Sequence, residues 1–252
     1  MYQEDRLLKL LEWLNERHSL SVNELMDRFN ISRDTARRDI LKLVQEGAAI
    51  RTHGGISLPL LNDKLLAYRE RVESFSADKR SIGISALRFI EDHKHYFFDV
   101  STTVNCLAEL VTQPIKVFTH SLDNAAIFSE KPTSTLYVFG GRLHHSNRFF
   151  VDLDIVNQLE SMHYDTAFLG AAAITEQGIF YDDLEDARVK KRVAKQSAKN
   201  IVLADTQKFM KESYFKGVDW AEIDMVITNH KPPDLFVKLM NDKQIKLIVA
   251  EN

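Results

Sequence analysis

The pattern of apolar and polar positions divides the chain into two parts with different periodicities. In the first 57 residues, apolar side chains such as Leu7, Leu11 and Leu14 recur three or four positions apart, which predicts amphipathic helices. From about residue 75, short apolar runs alternate with stretches of helical length. Apolar strands that alternate with helices are typical of a parallel sheet covered on both faces. We therefore predict a small helical domain followed by a mainly parallel-sheet α/β domain.

Turn and capping signals divide the first part into three helices, of which the first covers residues 3–17. Ser21 and Glu24 have the spacing of a capping box and predict the start of a second helix. Asn30 tolerates a left-handed turn and ends that helix. Ser32 is expected to cap a third helix, which extends to residue 46.

The third helix has an apolar face and a polar face. On a helical wheel of about 100° per residue, Arg38 points away from the core and Arg37 lies at the margin. The core face is formed by Ala36, Ile40, Leu43 and Val44. The side chains that flank Arg38 are Asp34, Leu41, Lys42 and Gln45. Two short helices joined by a three-residue turn, the second presenting Arg and Thr, indicate a helix-turn-helix.

A short hairpin is predicted directly after this helix. Gly47 ends the helix, and the sequence "AAIRTHGGI" alternates around a turn at Gly54 and Gly55. A hairpin in this position is a wing, which would carry Arg51 and His53 beside a DNA backbone. The first part is therefore expected to be a winged helix-turn-helix domain over residues 1–57.

Net charge neither supports nor excludes DNA binding. The whole chain carries −3, and its first 57 residues contain nine basic and nine acidic side chains, so the hypothesis depends on their arrangement. We expect base-edge contacts from Arg38 and Thr35, and phosphate contacts from Arg37, Lys42, Arg51 and His53. Asp34 and Asp39 could accept a hydrogen bond from cytosine or hold the arginines in place. The full predicted set is Ser32, Arg33, Asp34, Thr35, Arg37, Arg38, Lys42, Arg51 and His53.

Polar residues follow the predicted strands of the second part. These strand-end groups are Ser101, Thr102 and Thr103, then His120 and Ser121, then Gly140, Gly141 and Arg142, and finally Asp205, Thr206 and Lys208. Ligands of open α/β sheets bind at the carboxyl ends of the strands. Hydroxyl groups that enter a helix together with free backbone N–H groups form an anion site.

The predicted ligand is small, polar and phosphorylated. Lys208 and Arg142 would supply positive charge, and Asp99 could bond sugar hydroxyls. Each signal also has a structural interpretation, since Ser101 and Asp205 are both in positions where they could simply cap helices. The recurrence at four strand ends favours a binding site.

The N-terminal motif resembles a known family. In "ISRDTARRDILKLVQEGAAIRTHGGI", the residues Ser32, Thr35, Arg37, Arg38 and Asp39, with Ile40 in place of the usual Leu, are similar to the helix signature of the DeoR family of bacterial transcriptional regulators. The wing residues of that signature are matched by Arg51, His53, Gly54 and Gly55.

The resemblance continues through the second part. The segments "FFDVSTT", "FTHSL", "FGGRL", "DTAFLGAAAIT", "LEDARVKK" and "LADTQKF" resemble those of the DeoR-type effector domain. This resemblance implies a fold related to ribose-5-phosphate isomerase and a sugar-phosphate ligand. It implies a pocket lined by Ser101, Thr102, Thr103, Ser121, Gly140, Gly141, Glu185, Lys190 and Lys208. Three positions depart from the family pattern: Ser101 (often Gly), His120 (often Asn) and Thr206-Gln207 (often Ser-Ser). His120 could change which sugar is held, or could simply face solvent.

A regulator is the preferred hypothesis, and two alternatives stay open. Under this hypothesis, the protein represses a sugar-utilisation operon and binds double-stranded operator DNA as a homodimer or homotetramer. The first alternative is a sugar-phosphate isomerase-like enzyme whose acid–base groups would be Asp99, Glu185, Lys190 and Asp205. The second is a winged helix that binds protein rather than DNA.

The remaining predictions concern organisation and setting. A linker is expected over residues 58–74, with a possible helix in "LAYRERVE", and an effector and oligomerisation domain over residues 75–252. The single cysteine, Cys106, excludes an internal disulfide and favours a cytoplasmic protein. No apolar run is long enough to span a membrane. No cofactor is expected and no metal site either, since the histidine pairs lack ligands at suitable spacing.

Overall fold

The structure is a computed structural model and consists of two compact units, residues 1–70 and 71–252. The parts it describes are residues 3–17, 19–45, 48–51, 54–57, 76–152 and 154–250. Predictions made for Gly47, His53 and the linker over residues 58–74 therefore lie outside the described residues. None of the helices in these described parts is long and apolar enough to cross a membrane.

The first unit has the predicted three helices. They are α1 (Gln3–Arg17), α2 (Val22–Phe29) and α3 (Arg33–Gln45). The capping box is present, because the Ser21 backbone N–H donates to Glu24 at 2.8 Å and the Glu24 N–H donates to the Ser21 hydroxyl at 3.2 Å. Asn30 ends α2 in the left-handed conformation with φ 48°. The Ser32 hydroxyl accepts from the Thr35 N–H at 3.3 Å and so caps α3.

The wing is a three-stranded antiparallel sheet. Its strands are β1 (Ser19–Ser21), β2 (Ile50–Arg51) and β3 (Gly55–Ser57), in the order β1-β3-β2. The hairpin of β2 and β3 confirms the prediction, whereas β1 has no counterpart in it. Gly55 pairs so closely with β1 that a side-chain Cβ would lie 1.9 Å from the Leu20 carbonyl oxygen. A glycine is therefore required where the wing joins the helices.

An ion pair joins α1 to α3 inside this unit. The Arg6 guanidinium donates to the two carboxylate oxygens of Asp39 at 2.6 and 3.1 Å. The Asp39 side chain is fully buried. The suggestion that Asp39 accepts a hydrogen bond from cytosine is therefore wrong, because its carboxylate faces the interior and is neutralised there by Arg6.

The second unit contains a seven-stranded, fully parallel sheet. Its strands are β4 (His95–Phe98), β5 (Lys116–Thr119), β6 (Thr135–Val138), β9 (Thr166–Leu169), β12 (Asn200–Leu203), β14 (Met225–Thr228) and β15 (Lys246–Val249). Their order across the sheet is β15-β14-β12-β9-β4-β5-β6. Because all neighbouring strands in this sheet are parallel, the prediction of a mainly parallel α/β domain is confirmed.

Helices cover both faces of this sheet. They are α4 (Ser76–Leu87), α5 (Thr102–Leu110), α6 (Leu122–Ser129), α7 (Ile155–Glu160), α8 (Leu184–Gln196) and α9 (Asp234–Asp242). Alternate strand residues enter different cores, as Phe97 packs with α7, α8 and α9 while Tyr96 and Phe98 pack with α4, α5 and α6. The sheet is thus the middle layer of three.

Smaller strands lie beside the main sheet. One group is a hairpin of β7 (Arg142–His144) and β8 (Phe149–Val151). The other is an antiparallel set of β10 (Ala173–Thr175), β11 (Gly178–Tyr181) and β13 (Phe215–Val218). The sequence pattern predicts none of these short strands, and β7 begins directly after the predicted strand-end residues Gly140 and Gly141.

The strand order reverses between β4 and β9. The chain adds β5 and then β6 on one side of β4, and then β9, β12, β14 and β15 in turn on the other. Connections leave in opposite directions at such a point, and a crevice forms at the carboxyl ends of the two strands. The first residues beyond these ends are Asp99 and Gly170.

Candidate functional site

Asp99 lies at the centre of a buried group of charged side chains. It directly follows β4, is fully buried, and accepts from the Gly170 N–H through Oδ2 at 2.8 Å. This hydrogen bond joins the ends of β4 and β9 across the point where the strand order reverses. Its other oxygen, Oδ1, lies 3.3 Å from Lys190 Nζ.

Lys190 supplies the positive charge of this group. It lies on α8, one turn after Asp186, and its ammonium donates to an Asp186 carboxylate oxygen as well as approaching Asp99. Its side chain is 2% exposed. The ammonium also lies 4.1 Å from the centre of the Tyr181 ring, whose negative face attracts a cation. The charge of Lys190 is therefore balanced entirely inside the protein.

His120 completes the group from the end of β5. Its side chain is fully buried, and Nε2 forms a hydrogen bond of 3.0 Å with Asp186 Oδ1. Its ring stacks on Phe97 at 5.8 Å and meets the edge of Phe149 at 5.6 Å. Nδ1 has no hydrogen-bond partner among the described residues. The interpretation of His120 as a solvent-facing side chain is therefore wrong.

The two carboxylates of the group have opposite pKa shifts. Burial raises the pKa of Asp99 to about 6, although Lys190 partly compensates. Burial also acts on Asp186, but Lys190 and the hydrogen bond from His120 outweigh it and lower the pKa of Asp186. The carboxylates in turn outweigh burial for Lys190 and raise the pKa of its ammonium. The closest ion pair is therefore Lys190 with Asp186, and Asp99 is the carboxyl that takes up a proton most readily.

The loops around this group approach each other very closely. The Tyr181 hydroxyl donates to the Gly170 carbonyl at 3.0 Å. A Cβ at Gly170 would lie 2.3 Å from the Cβ of Ser101 and 2.5 Å from its hydroxyl oxygen. The absence of a side chain at Gly170 therefore allows the loop after β9 to approach the loop after β4.

Three members of the group have the donor types of a metal site. Side-chain ligand atoms of Asp99, His120 and Asp186 all lie within 4.8 Å of one another. The Lys190 ammonium, however, already contacts both carboxylates. A metal ion would have to displace this cation, so the residues fit an internal ammonium better than a metal, and we assign no metal to the group.

A second cluster lies at the start of α8 and on β7. His144 Nε2 is 3.3 Å from an Asp183 oxygen, and the His144 ring stacks on Phe149 at 4.8 Å. A hydrogen bond from Asp183 lowers the pKa of Glu185, and Arg142 and His144 contribute to the same shift. Since Phe149 contacts both His144 and His120, this cluster adjoins the buried group.

The predicted hydroxyl residues lie at helix starts. Ser101 caps α5 by accepting from the Thr103 N–H at 3.2 Å, and Ser121 caps α6 by accepting from the Asn124 N–H at 3.2 Å. Ser121 and Thr103 are buried, while Ser101 and Thr102 are half-buried. Gly140 and Gly141 are exposed after β6 and lead into β7, with φ at Gly141 being 130°.

Asp205 and Lys208 lie after β12. Asp205 accepts from the Gln207 N–H at 3.0 Å and caps a short 3₁₀ helix, Thr206–Lys208. The Thr206 N–H donates to Asn229, which follows β14. Lys208 is half-buried. The structure thus brings Asp99, His120 and Lys190 into one buried group around Asp186, and it places Asp205 and Lys208 after the end of β12.

The predicted DNA-contacting side chains lie on the outer face of α3 and on the wing. Four of them on α3 are exposed, namely Arg33, Asp34, Arg37 and Arg38. Thr35 and Lys42 are half-buried, and Arg51 is exposed on β2. The core face is as predicted for Ala36, Ile40 and Leu43, which are buried.

Asp186 and Tyr181 were missed by the sequence interpretation. Asp186 precedes Lys190 by four residues, a spacing that places two side chains side by side on a helix. That spacing in "DARVK" is the signal that would have found the pair. Tyr181 belongs to β11, a strand that the pattern does not predict, so nothing placed its ring beneath Lys190.

Comparison with known protein families covers nearly the whole chain. The family described as "DeoR-like helix-turn-helix domain" matches residues 6–59, and the one described as "DeoR C terminal sensor domain" matches residues 74–230. The second match alone includes more than half of the chain. The chain belongs to the DeoR family.

The chain is similar to two curated repressors and, more weakly, to one solved enzyme structure. The HTH-type transcriptional repressor GlcR of Bacillus subtilis is 34% identical over all of this chain and 98% of its own length. The lactose phosphotransferase system repressor of Staphylococcus aureus is 27% identical over 92% of this chain and 94% of its own length. Ribose 5-phosphate isomerase A from Methanocaldococcus jannaschii aligns over 55% of this chain and 56% of its own, at 15% identity and a TM-score of 0.40.

Membership of the DeoR family decides between the hypotheses on function. The protein is a DNA-binding transcriptional regulator with an N-terminal helix-turn-helix domain and a C-terminal sensor domain. The regulator hypothesis is confirmed, and the isomerase alternative has no support, since the relatives are named as repressors.

Proposed function

We propose that this DeoR-family protein represses sugar-utilisation genes and releases its operator when a phosphorylated sugar binds the second unit. The observation that carries the proposal is the buried group of Asp99, His120, Asp186 and Lys190 at the carboxyl ends of the strands. Buried polar networks of this kind are costly unless every member is satisfied. Two atoms of the group, His120 Nδ1 and Asp99 Oδ1, have no hydrogen-bond partner among the described residues, and each would gain one from a ligand.

The sugar end of the ligand suits this buried group. Asp99 and Asp186 together balance or exceed the single charge of Lys190, so the group carries no surplus positive charge for a phosphate. Carboxylate oxygens, an imidazole nitrogen and an ammonium are instead hydrogen-bonding partners for hydroxyl groups. We therefore assign the sugar hydroxyls to Asp99, His120 and Lys190.

The phosphate end suits the loops at the strand ends. The first turn of α5 offers backbone N–H groups beside Ser101 and Thr102, an arrangement that attracts anions. Arg142 and Lys208 supply cations from the loops after β6 and β12. The remaining residues assigned to this site are Thr103, Ser121, Gly140, Gly141, Glu185 and Asp205.

A panel of sugar phosphates tests the ligand class. A ligand present at about 100 times its dissociation constant adds roughly 2.7 kcal/mol to the free energy of unfolding. We expect one sugar phosphate to raise the melting temperature and to release operator DNA, while the unphosphorylated sugar does neither. Lys208→Ala is expected to retain DNA binding but to respond only at higher effector concentration. Normal release of that variant would overturn the phosphate assignment.

The DNA face is assigned to the outer side of α3 and to the wing. We propose that α3 enters the major groove, with Arg38 and Thr35 at base edges and with Arg37, Lys42, Arg51 and His53 at phosphates. Ser32, Arg33 and Asp34 lie at the same end of the helix. A symmetric homodimer or homotetramer would place two such helices on two half-sites in the cytoplasm of a bacterium.

Arg38→Ala tests this assignment. Loss of a side chain that reads a base edge is expected to cost about 1–3 kcal/mol of specific binding and to relax sequence preference at one position. Because Arg38 is exposed, the melting temperature should not change. Wild-type affinity for the operator in this variant would contradict the contact.

A further inference from the structure

Leu41 is an apolar side chain on the face that carries the arginines. It lies on α3 with 44% of its surface exposed, and it follows Arg37 by four residues and Arg38 by three. Residues at these spacings are neighbours on a helix surface. Arg37 and Arg38 are themselves exposed. Leu41 therefore lies beside both arginines on the outer side of α3.

The first unit exposes very few apolar side chains of this size. Among its described residues, the exposed large ones are Leu8 on α1, at 63%, and Leu41. The other long apolar side chains of α3 are at least partly buried in the core of the unit, including Ile40, Leu43 and Val44. Packing within the described part of the unit therefore does not explain Leu41, whereas a partner that covers the arginines would cover it too.

The charges around Leu41 identify the kind of partner. Arg33, Arg37 and Arg38 are exposed on the same helix, and Asp34 is the acidic residue exposed with them. A predominantly basic face suits the phosphates and base edges of duplex DNA. In the major groove, the one apolar group that a base edge presents is the 5-methyl group of thymine.

We infer that Leu41 determines operator specificity by packing against the methyl group of a thymine. The inference rests on the proposed entry of α3 into the major groove and adds a base identity to it. Arg38 reads polar atoms of one base edge, and Leu41, one turn further along α3, covers the methyl group of a neighbouring thymine. The full chain should therefore require thymine at one position of each half-site for a reason unconnected with hydrogen bonding.

Uracil in place of thymine is the direct probe, because it removes the methyl group and keeps every hydrogen-bonding atom. Duplexes are first selected from a randomised library with the full-length wild-type chain. The enriched sequence is then synthesised with deoxyuridine in place of each thymidine in turn. We expect one position per half-site where this change weakens wild-type binding about fourfold, as loss of one buried methyl-sized group predicts.

The variant Leu41→Ala completes a double-mutant cycle. It should bind the thymine duplex more weakly than the wild type does, and it should not distinguish thymine from uracil at the sensitive position. Leu8→Ala is the matched control, since it truncates another exposed leucine of the same unit, on α1, and should behave as the wild type. Both variants should keep the wild-type melting temperature because neither residue is buried.

Three outcomes would overturn the inference: an enriched half-site without thymine, a wild-type chain that tolerates uracil everywhere, or an undiminished thymine preference in Leu41→Ala. The variant Arg38→Ala separates these from failure of the proposed DNA face. If Arg38→Ala weakens binding but no uracil substitution does, α3 still contacts the operator and the role of Leu41 is wrong. If neither has an effect, the assignment of α3 to the major groove is wrong.

Discussion

Asp99 shows how one residue can join the stability of the fold to its chemistry. Its carboxyl group holds the loop after β9 through Gly170 and faces Lys190 at 3.3 Å, but Lys190 is closer to Asp186. Lys190 therefore offsets the cost of burying Asp186 more than it offsets the cost of burying Asp99. For Asp99, burial outweighs the charge of Lys190, and the pKa rises from 3.8 to about 6.

This raised pKa predicts a pH dependence of stability. The folded state holds the Asp99 proton more tightly than the unfolded chain, so the stabilisation is complete below pH 3.8 and is lost as the pH rises through about 6. Asp99→Asn removes the titration while keeping an acceptor for Gly170. We expect the unfolding free energy of the wild type, minus that of Asp99→Asn, to fall by a few kcal/mol between pH 4 and 7. Thermal melts across this range measure it, and a level or rising difference would contradict the assignment.

Gly170 and Ser101 lie so close together that the side chain at one position limits the side chain at the other. A methyl group at Gly170 would overlap Ser101, so Gly170→Ala should destabilise the second unit by about 1–3 kcal/mol. Adding Ser101→Gly removes the atoms that clash and should restore part of the loss, as measured by urea unfolding. Gly140→Ala is the matched control, because a Cβ there meets nothing within 4 Å. A double variant no more stable than Gly170→Ala would show that the loss has another origin.

Among elements, α3 depends on α1 for its position. The buried ion pair of Arg6 and Asp39 joins the two helices, and Asp39 lies on α3 directly after Arg38. The motif "RRD" thus combines two exposed arginines with an aspartate that faces inward. The hydrogen bond and charge of Asp39 also raise the pKa of the Arg6 guanidinium, so Arg6 stays charged at any physiological pH.

Breaking this pair should destabilise the first unit selectively. Asp39→Ala leaves a buried guanidinium without its carboxylate, and loss of one partner of a buried pair costs about 3–5 kcal/mol. The double variant Arg6→Met/Asp39→Leu removes both charges and should be considerably more stable than Asp39→Ala. Hydrogen exchange of the α1 and α3 amides in the full chain would measure both. Equal exchange in the two variants would show that the charges are not the cause.

The sequence predicts long elements well and short strands poorly, for a physical reason. Strands such as β4 and β12 are buried on both faces, so continuous apolar runs identify them. β1 has three residues, and β10 and β11 are joined by two residues, Glu176 and Gln177, that lack the Asn-Gly or Asp-Gly sequence typical of a hairpin turn. The pairing of β11 with β13 joins distant parts of the chain, which no local pattern records.

The same distinction applies to the candidate site. Asp99 and His120 could be predicted because they directly follow apolar strands, and a strand end is a local feature. Lys190 was included in the predicted pocket because of the family resemblance. The i, i+4 spacing of Asp186 and Lys190 is a local signal, but the hydrogen bond of Asp186 with His120 joins residues far apart in the chain. Tyr181 was missed because it lies on β11, a strand that the sequence pattern does not predict.

For the molecule as a whole, electrical balance limits how DNA can be bound. Nine basic and nine acidic side chains in the first 57 residues leave no bulk attraction to a polyanion. Affinity must therefore come from a small number of well-placed contacts, which the proposed homodimer would double. A regulator of this kind should discriminate strongly between its operator and other DNA, because nonspecific binding depends on surplus positive charge.

The salt dependence of operator binding tests this view. Each phosphate contact contributes about −0.9 to the slope of log affinity against log salt. Arg51→Ala should therefore reduce the steepness of the slope by about two in a dimer, with little change in sequence preference. Lys199→Ala removes the same charge from an exposed position in the second unit and should leave the slope unchanged. Equal slopes for wild type and Arg51→Ala would exclude the wing contact.

The reversal of strand order has a consequence for the order in which the protein is made. One side of the crevice comes from β4 to β6, all synthesised before residue 139, whereas the other begins with β9 and is closed by α8. A nascent chain that has not yet emerged past residue 185 carries Asp99 and His120 but lacks Lys190 and Asp186, the side chains that contact them. The sensor is thus absent throughout most of translation. The DNA-binding unit, residues 1–70, is made before the unit proposed to control it.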